Sequence, residues 1–337
     1  MRALVTGATG FVGLHAARAL RASGHELRIL ARSREKAHRC LGGLGVDDAD
    51  VIEGDMTDDA SVPRAMEGCD ALVHAAAAVS VTTAGGGDAF SANELGTRCV
   101  IGEGCRRGLA SMVFVSSLTA VFDPRAHRLE PGLPLLPSRS RYGRSKVASD
   151  RFVRECQADR APVHIVYPSG VVGPDDPGAS ESMRAHTGFL RMTIRAGGTQ
   201  FVDVRDLAQL LVRLLEQPGQ ERVIAAGHYF SWDDLTALLE EVTGAHIARF
   251  GAPGWLLRGL ASAADGIRRV SGRSFGPFTR EALDVATRWW PVPDSPRVAE
   301  LGVRWRPPRE TVEAVVRWGL ETGRVRPERA PRLTGTA

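Results

Sequence analysis

"TGATGFVG" (Thr6–Gly13) follows the apolar run "RALVT" (residues 2–6) and leads into "FVGLHAARALRASG" (11–24). In that last stretch Val12, Ala16, Ala19 and Leu20 have helical spacing, and Gly24 supplies a stop. A strand, a glycine turn and a helix therefore open the chain. Glycines at 7, 10 and 13 give G-x-x-G-x-x-G in that context. The spacing suits a pyrophosphate. Gly7 permits the tight turn, Gly10 lets the backbone approach the phosphates, and Gly13 lets the helix pack on the strand. The N–H groups and positive dipole end of the helix favour the anion. Candidate cofactor contacts on this turn are Gly7, Thr9, Gly10, Phe11, Val12 and Gly13.

The alternation continues downstream. "ELRILA" (26–31), 49–55, 70–77, 111–117 and 163–169 read as strands, and 58–68, 89–108 and 142–156 as helices between them. Such βαβ units predict an α/β protein: a Rossmann-type, doubly wound parallel sheet covered on both faces. A smaller, mostly helical C-terminal lobe is expected to hold the substrate. After Pro168 a Gly-, Pro- and Ser-rich stretch reads as loop. Amphipathic helices are expected at 202–217, capped by Asp203 or Asp206, at 231–244 with a Ser231/Asp234 capping box, and at 310–323. The division is a cofactor domain over 1–167, to which 199–226 returns, a substrate lobe over 168–198 and 227–323, and a flexible tail over 324–337. The basic, amphipathic segment 253–270 reads as a lobe helix covering the substrate in preference to a membrane-surface contact.

With 337 residues, 43% of them hydrophobic, 24% charged and a formal net charge of +4, the chain is expected to be globular and soluble. Its arginines are dispersed and argue against nucleic-acid binding. Five cysteines without a C-x-x-C pair, and nine histidines without metal-ligand spacing, predict neither a disulfide framework nor a metal site. No apolar run is long enough for a membrane span. The start directly in a strand leaves no room for a signal peptide, so a cytoplasmic protein is expected.

The dinucleotide is read from the end of the second strand. NAD binders place a carboxylate there for the ribose 2′-OH. Here Ala31 is followed by Arg32, Ser33 and Arg34. An arginine offers a bidentate partner to a 2′-phosphate, so NADP is expected in preference to NAD, with Arg32 as anchor. Asp55 and Met56 follow the third strand where an adenine would lie, and His74, Ala75 and Ala76 end the fourth beside the cofactor. His74 is given no catalytic role.

"YGRSK" (Tyr142–Lys146) carries the chemistry. It joins one of three tyrosines to one of two lysines, in a chain whose other basic residues are arginines. Positions i and i+4 share a helix face. An ammonium beside a phenol favours the phenolate and lowers the tyrosine pKa, making a general acid for an alkoxide or a base for the reverse.

On these residues the chain resembles the extended short-chain dehydrogenase/reductase family, also called the NAD-dependent epimerase/dehydratase family. "TGATGFVG" is similar to its cofactor turn, "YGRSK" to its Y-x-x-x-K, and "VSS" (115–117) to the site of its serine. "FVDVRDLA" (201–208) and "VAELGVRWRP" (298–307) resemble later landmarks of the family. Ser117, at the family's usual interval before Tyr142, is chosen over Ser116. Asn93 matches an asparagine of the long fourth helix, and the resemblance places it with Ser117, Tyr142 and Lys146 among the catalytic candidates. The resemblance implies that Ser117 holds the substrate oxygen, Tyr142 transfers the proton, Lys146 tunes it and also bonds the nicotinamide ribose, and NADPH supplies hydride. It also implies a homodimer through the helices bearing Asn93 and Tyr142.

Two features narrow the branch. Leu118-Thr119 stand where sugar-nucleotide dehydratases carry Asp-Glu. "YPSGVVGP" (167–174) is closer to the Arg-Pro-Ser/Thr run of dihydroflavonol-reductase-like and 3β-hydroxysteroid-dehydrogenase-like members, with Tyr167 in place of the arginine. Tyr167, Pro168, Ser169 and Val171 are expected near the nicotinamide. Met183, Phe189, Leu190 and Met192 would favour an apolar or aromatic carbonyl substrate, unless they are simply lobe core. Arg184, Arg191 and Arg195 keep a diphosphate substrate open. The expected activity is NADPH-dependent reduction of a small ketone or aldehyde. A nucleotide-sugar epimerase, a 3β-hydroxysteroid dehydrogenase and a non-catalytic NADP sensor are the alternatives.

Overall fold

Alternate residues of the first strand, β1 (Arg2–Thr6), go to opposite faces of a sheet. Ala3 and Val5 pack with the helices of one face and Leu4 with those of the other. Both faces are buried, which is why the strand is apolar without a break. The same holds for β4 (Ala71–His74), β5 (Ser111–Val115) and β6 (Val163–Pro168). With β2 (Glu26–Ala31), β3 (Val51–Glu53) and β10 (Arg222–Ala225) they form a seven-stranded sheet in the order β10-β6-β5-β4-β1-β2-β3. All its pairings are parallel. The structure, a computed structural model, describes residues 1–77, 91–129, 132–138, 141–178, 188–190, 192–271 and 280–335.

One face of the sheet is covered by α1 (Phe11–Ala22), α2 (Arg34–Leu41) and α6 (Val204–Leu215), the other by α3 (Ser61–Met66), α4 (Ser91–Arg107) and α5 (Arg141–Ala158). The doubly wound fold read from the sequence is thus the observed one. Its chain reverses between the neighbours β1 and β4, so their C-terminal ends flank a crevice.

Two small sheets lie outside the large one. β7 (Gly170–Val172), β9 (Gly198–Asp203) and β11 (His228–Ser231) make the first, in the order β11-β9-β7. β8 (Met192–Ile194) and β12 (Ala248–Phe250) make the second. The stretch after Pro168, expected as loop, therefore holds a strand. The helix expected from 202 begins at Val204, because Phe201–Asp203 pair with β7, and Phe201 with β11 as well. Asp203 then caps α6 by accepting from the Arg205 N–H at 2.8 Å.

The lobe's helices are α7 (Trp232–Thr243), α8 (Gly254–Ser271), α9 (Arg280–Arg288), α10 (Pro296–Glu300), α11 (Pro308–Glu321) and α12 (Pro331–Thr334). Ser231 caps α7 by accepting from the Asp234 N–H, as its capping box predicts. Two buried aspartates tie the lobe to α6. Asp206 takes both the backbone N–H and the guanidinium of Arg306 at 2.7 Å, and Asp203 takes the Thr311 hydroxyl at 2.8 Å. Burial works to raise the Asp203 pKa, but the bonds from Arg205 and Thr311 outweigh it and hold the carboxyl below the usual range. The tail expected to be flexible from 324 is in part packed. Val325 and Ala330 are buried in the lobe core, and Arg324 stacks 4.5 Å over the Trp318 ring.

Candidate functional site

The glycine turn sits in the crevice. Gly7 has φ +81°, and a Cβ there would come within 2.7 Å of the Ala76 backbone. A Cβ on Gly13 would stand 2.2 Å from the Gly7 carbonyl oxygen. Both positions therefore require glycine: the first by conformation and contact, the second by contact alone. The Gly10 N–H closes the turn on the Gly7 carbonyl at 2.8 Å. Gly10 caps α1 without a side chain, and the first turn of α1 carries no acidic residue. The end of α1 thus retains the donors and positive field that suit a dinucleotide's pyrophosphate. Thr9 and Val12 are half-buried on this turn, while Phe11 is buried and packs into the lobe core.

Along the rim, Arg32 is exposed just beyond β2 and takes part in no ion pair among the described residues. Ser33 beside it caps α2. Asp55 is turned onto its own loop: one carboxylate oxygen accepts from the Thr57 N–H at 2.9 Å and hydroxyl at 2.8 Å. Met56 is half-buried and lies against Gly96 of α4. Ala75 and Ala76 are half-buried beside Gly7.

The side chain of His74 does not face the crevice. It is buried between Thr6 Oγ1 (2.6 Å from Nδ1) and Thr97 Oγ1 (3.1 Å from Nε2). The Thr97 hydroxyl donates to the Asn93 carbonyl at 2.7 Å, so Nε2 donates to Thr97 and Nδ1 accepts from Thr6. Burial, then the charge of Lys146, pushes His74 down to about 3, so the imidazole is neutral. It is a satisfied strand-end histidine.

Lys146 is 5% exposed. It reaches back from the second turn of α5 and donates to the Val115 carbonyl at 3.1 Å, at the C-terminal end of β5. Burial lowers its pKa to about 8, against the pull of Asp150. Ser116 and Ser117 follow Val115 but take opposite directions. Ser116 is buried and donates to Asp150 Oδ2 at 2.7 Å. Ser117 is half-buried and accepts from the Thr119 hydroxyl at 2.9 Å. Lys146 thus bonds the end of the strand that Ser117 follows. Tyr142 lies one turn before Lys146, in the first turn of α5, and its side chain is outside the described residues. Asn93 is buried on α4 and donates to Ser145 Oγ at 3.2 Å. Its carbonyl accepts from Thr97 and Ser149, so it fastens α4 to α5 directly beneath Lys146.

One buried polar cluster beside these residues is missed by the sequence reading. Asp150 is wholly buried and accepts from Ser116, from Arg154 Nε at 2.7 Å and from the Tyr167 hydroxyl at 3.2 Å. Arg154 also donates to Tyr167 at 2.8 Å and to the Leu133 carbonyl at 2.7 Å. The Tyr167 side chain therefore points to the α5 face. Burial first, then Asp150, raises its pKa, so it is neutral. A guanidinium from α5 here meets the tyrosine that replaces the expected arginine. The available signal is the four-residue spacing of Tyr142, Lys146, Asp150 and Arg154.

Beyond β6, Ser169 donates to the Ala226 carbonyl at 2.6 Å, and Val171 pairs with Val202 in the small sheet. Pro168 ends β6 beside Ala225. Phe189 packs edge-on to Trp232 with ring centroids 4.8 Å apart, and Leu190 is 4% exposed. Both belong to the lobe core, in which a void of about 30 Å³ remains. These two are therefore core, and no substrate preference follows from them. Arg195 is exposed. Met183, Arg184, Arg191 and the Met192 side chain lie outside the described residues.

Comparison with known proteins agrees with the fold. Residues 3–227 match the model of the NAD dependent epimerase/dehydratase family. The chain is 31% identical over 333 residues to "Sterol demethylase protein B" of Methylococcus capsulatus, covering 96% of this chain and 100% of that protein. It is 26% identical to a dihydroflavonol 4-reductase-type protein of Synechocystis, covering 96% and 95%. The crystal structure of gox2253 superposes with a TM-score of 0.79 at 26% identity, covering 96% of this chain and 99% of that one. Strand order and these matches agree: the chain belongs to the NAD-dependent epimerase/dehydratase family and is an NAD(P)-dependent oxidoreductase-type enzyme.

Proposed function

We propose that the protein reduces a ketone or aldehyde in an apolar substrate with NADPH, or runs the reverse oxidation. Ser117 holds the substrate oxygen, Tyr142 passes the proton, and Lys146 favours the phenolate. The observation that carries the reading is the buried ammonium of Lys146, fixed on the Val115 carbonyl one helical turn from Tyr142 and two residues from Ser117. In a low-dielectric site such a charge acts strongly on a neighbouring phenol. When bound, NADPH supplies the hydride. Arg32, exposed at the end of β2 where NAD binders carry a carboxylate, supports the 2′-phosphate. Asn93 and the Asp150–Arg154–Tyr167 cluster are positioning residues, which hold α5 against α4 and β5. The sterol named in the Methylococcus relative favours a substrate of that apolar class.

The test is NADPH consumption against ketones and aldehydes that include 3-ketosteroids, with NADH in parallel. Native protein is expected to turn over with NADPH, and Tyr142→Phe to lose about 10²–10⁴-fold in kcat. NADPH binding without turnover in either protein overturns the reading, and moves attention to a nucleotide-sugar substrate or a cofactor sensor.

A further inference from the structure

α8 turns its apolar residues outward. Trp255 is 69% exposed, Leu260 59% and Leu256 38%, and Phe250 just before the helix is 48% exposed. At 3.6 residues per turn, positions 255, 256, 259, 260 and 263 share one side of the helix. They are Trp, Leu, Gly, Leu and Ala, and all are exposed. Leu257 and Ala261, on the other side, are buried against Leu283. In the sequence further apolar residues follow at Ile267 and Val270. The helix is therefore apolar on both sides, although only one side has a partner within the described residues.

Charge says what the other side meets. Residues 249–288 hold seven arginines against three carboxylates, so this stretch carries +4, equal to the formal net charge of the whole chain. Arg249 pairs with Asp233 and Glu240, and Arg258 and Arg288 pair with Asp284. An apolar helix face opened by a tryptophan, in a stretch rich in arginine, has the character of a helix lying in the plane of a bilayer interface. A second copy of the chain fits less well. An 18-residue helix is about 27 Å long and about 10 Å wide, so its face offers about 270 Å², against about 800 Å² per partner in a stable dimer. Among the described residues no helix is long and apolar enough to cross a membrane, so the contact is peripheral.

We propose that the outward face of α8 docks on the surface of an anionic lipid bilayer. Trp255, Leu256 and Leu260 enter the headgroup–acyl boundary, and the net positive charge of the sequence around the helix favours an anionic surface. Docking sets the substrate lobe against the phase in which an apolar substrate dissolves. The surface reading does not depend on that substrate being correct.

The test is co-sedimentation of the full chain with vesicles of phosphatidylcholine alone and of an equal mixture with phosphatidylglycerol, at low and high salt. Native protein is expected to sediment with the anionic vesicles, less with the neutral ones, and less at high salt. The double variant Trp255→Ser/Leu260→Ser removes two exposed side chains, so it is expected to melt like the native protein and bind about tenfold more weakly. Failure of the native protein to bind anionic vesicles, or equal binding by the double variant, overturns the proposal. A native dimer that ignores vesicles and becomes monomeric in the double variant also overturns it, and assigns the face to a second copy.

Discussion

α5 and α8 are both 18 residues long, and they break the apolar-inside rule in opposite directions. α5 takes an ammonium, a carboxylate and two serine hydroxyls into the interior. α8 leaves a tryptophan and two leucines outside. The buried groups of α5 answer one another: Lys146 finds the Val115 carbonyl, and Asp150 finds Ser116, Arg154 and Tyr167. The departure in α5 is closed within the chain and fixes the helix at the proposed reacting centre. That in α8 is open among the described residues, and the proposed lipid contact would close it.

The largest test of this contrast is to cut each helix at its unusual residue. Asp150→Ala strips three donors of their shared acceptor and leaves Arg154 without its carboxylate. It is expected to cost about 3–5 kcal/mol in urea unfolding. Asp150→Asn keeps an acceptor and the volume, and should lose clearly less. Trp255→Ser, at an exposed position, should stay within about 0.5 kcal/mol of native. Equal losses at the two positions would mean that α8 is a structural element of the same kind as α5.

A smaller effect is expected inside the lobe. Leu190→Ala should lower stability by about 2–5 kcal/mol, as buried leucines do, while leaving the Michaelis constants for substrate and cofactor unchanged. A raised substrate constant with unchanged stability would return Leu190 to the substrate site.

These two regions also differ in how far the sequence alone discloses them. The glycine turn is legible because its constraints are local: Gly7 and Gly13 answer to atoms of the turn itself and of the neighbouring strand end. The parallel sheet is legible because both faces of each strand are buried and the apolar runs stand out. Asp150, Arg154 and Tyr167 are not, because strand alternation sends Val166 to one face and Tyr167 to the other, and what waits there comes from α5 and the Leu133 carbonyl. β9 goes unread, and its last two residues fall in the expected helix, because its pairing is with residues 170–172 and 228–231, distant in sequence. Phe189 and Leu190 are apolar in either role, and the packing of Trp232 and α11 decides between them. Composition makes 253–270 amphipathic without saying which of its apolar positions face out.

The finest test separates the two roles that a buried lysine can have. Burial lowers the Lys146 pKa from 10.5 to about 8, with Asp150 opposing. Below about pH 8 the amine is charged in both folded and unfolded chains, and the folded state bears the cost of burying it. Between about 8 and 10.5 the folded chain has released the proton and the unfolded chain still holds it. The unfolded state then binds more protons, so stability attributable to this residue rises with pH, by up to roughly 1.4 kcal/mol per unit. Catalysis should run the other way. As the ammonium loses its proton above about pH 8, the Tyr142 phenolate loses its support and kcat should fall. Lys146→Met should abolish both the alkaline gain in stability and the turnover, while folding at pH 7 as well as the native chain or better. A lysine with a purely structural task would move stability and activity in the same direction. Measured urea midpoints and kcat from pH 7 to 10 that diverge would place its charge in the chemistry, and parallel curves would remove it from there.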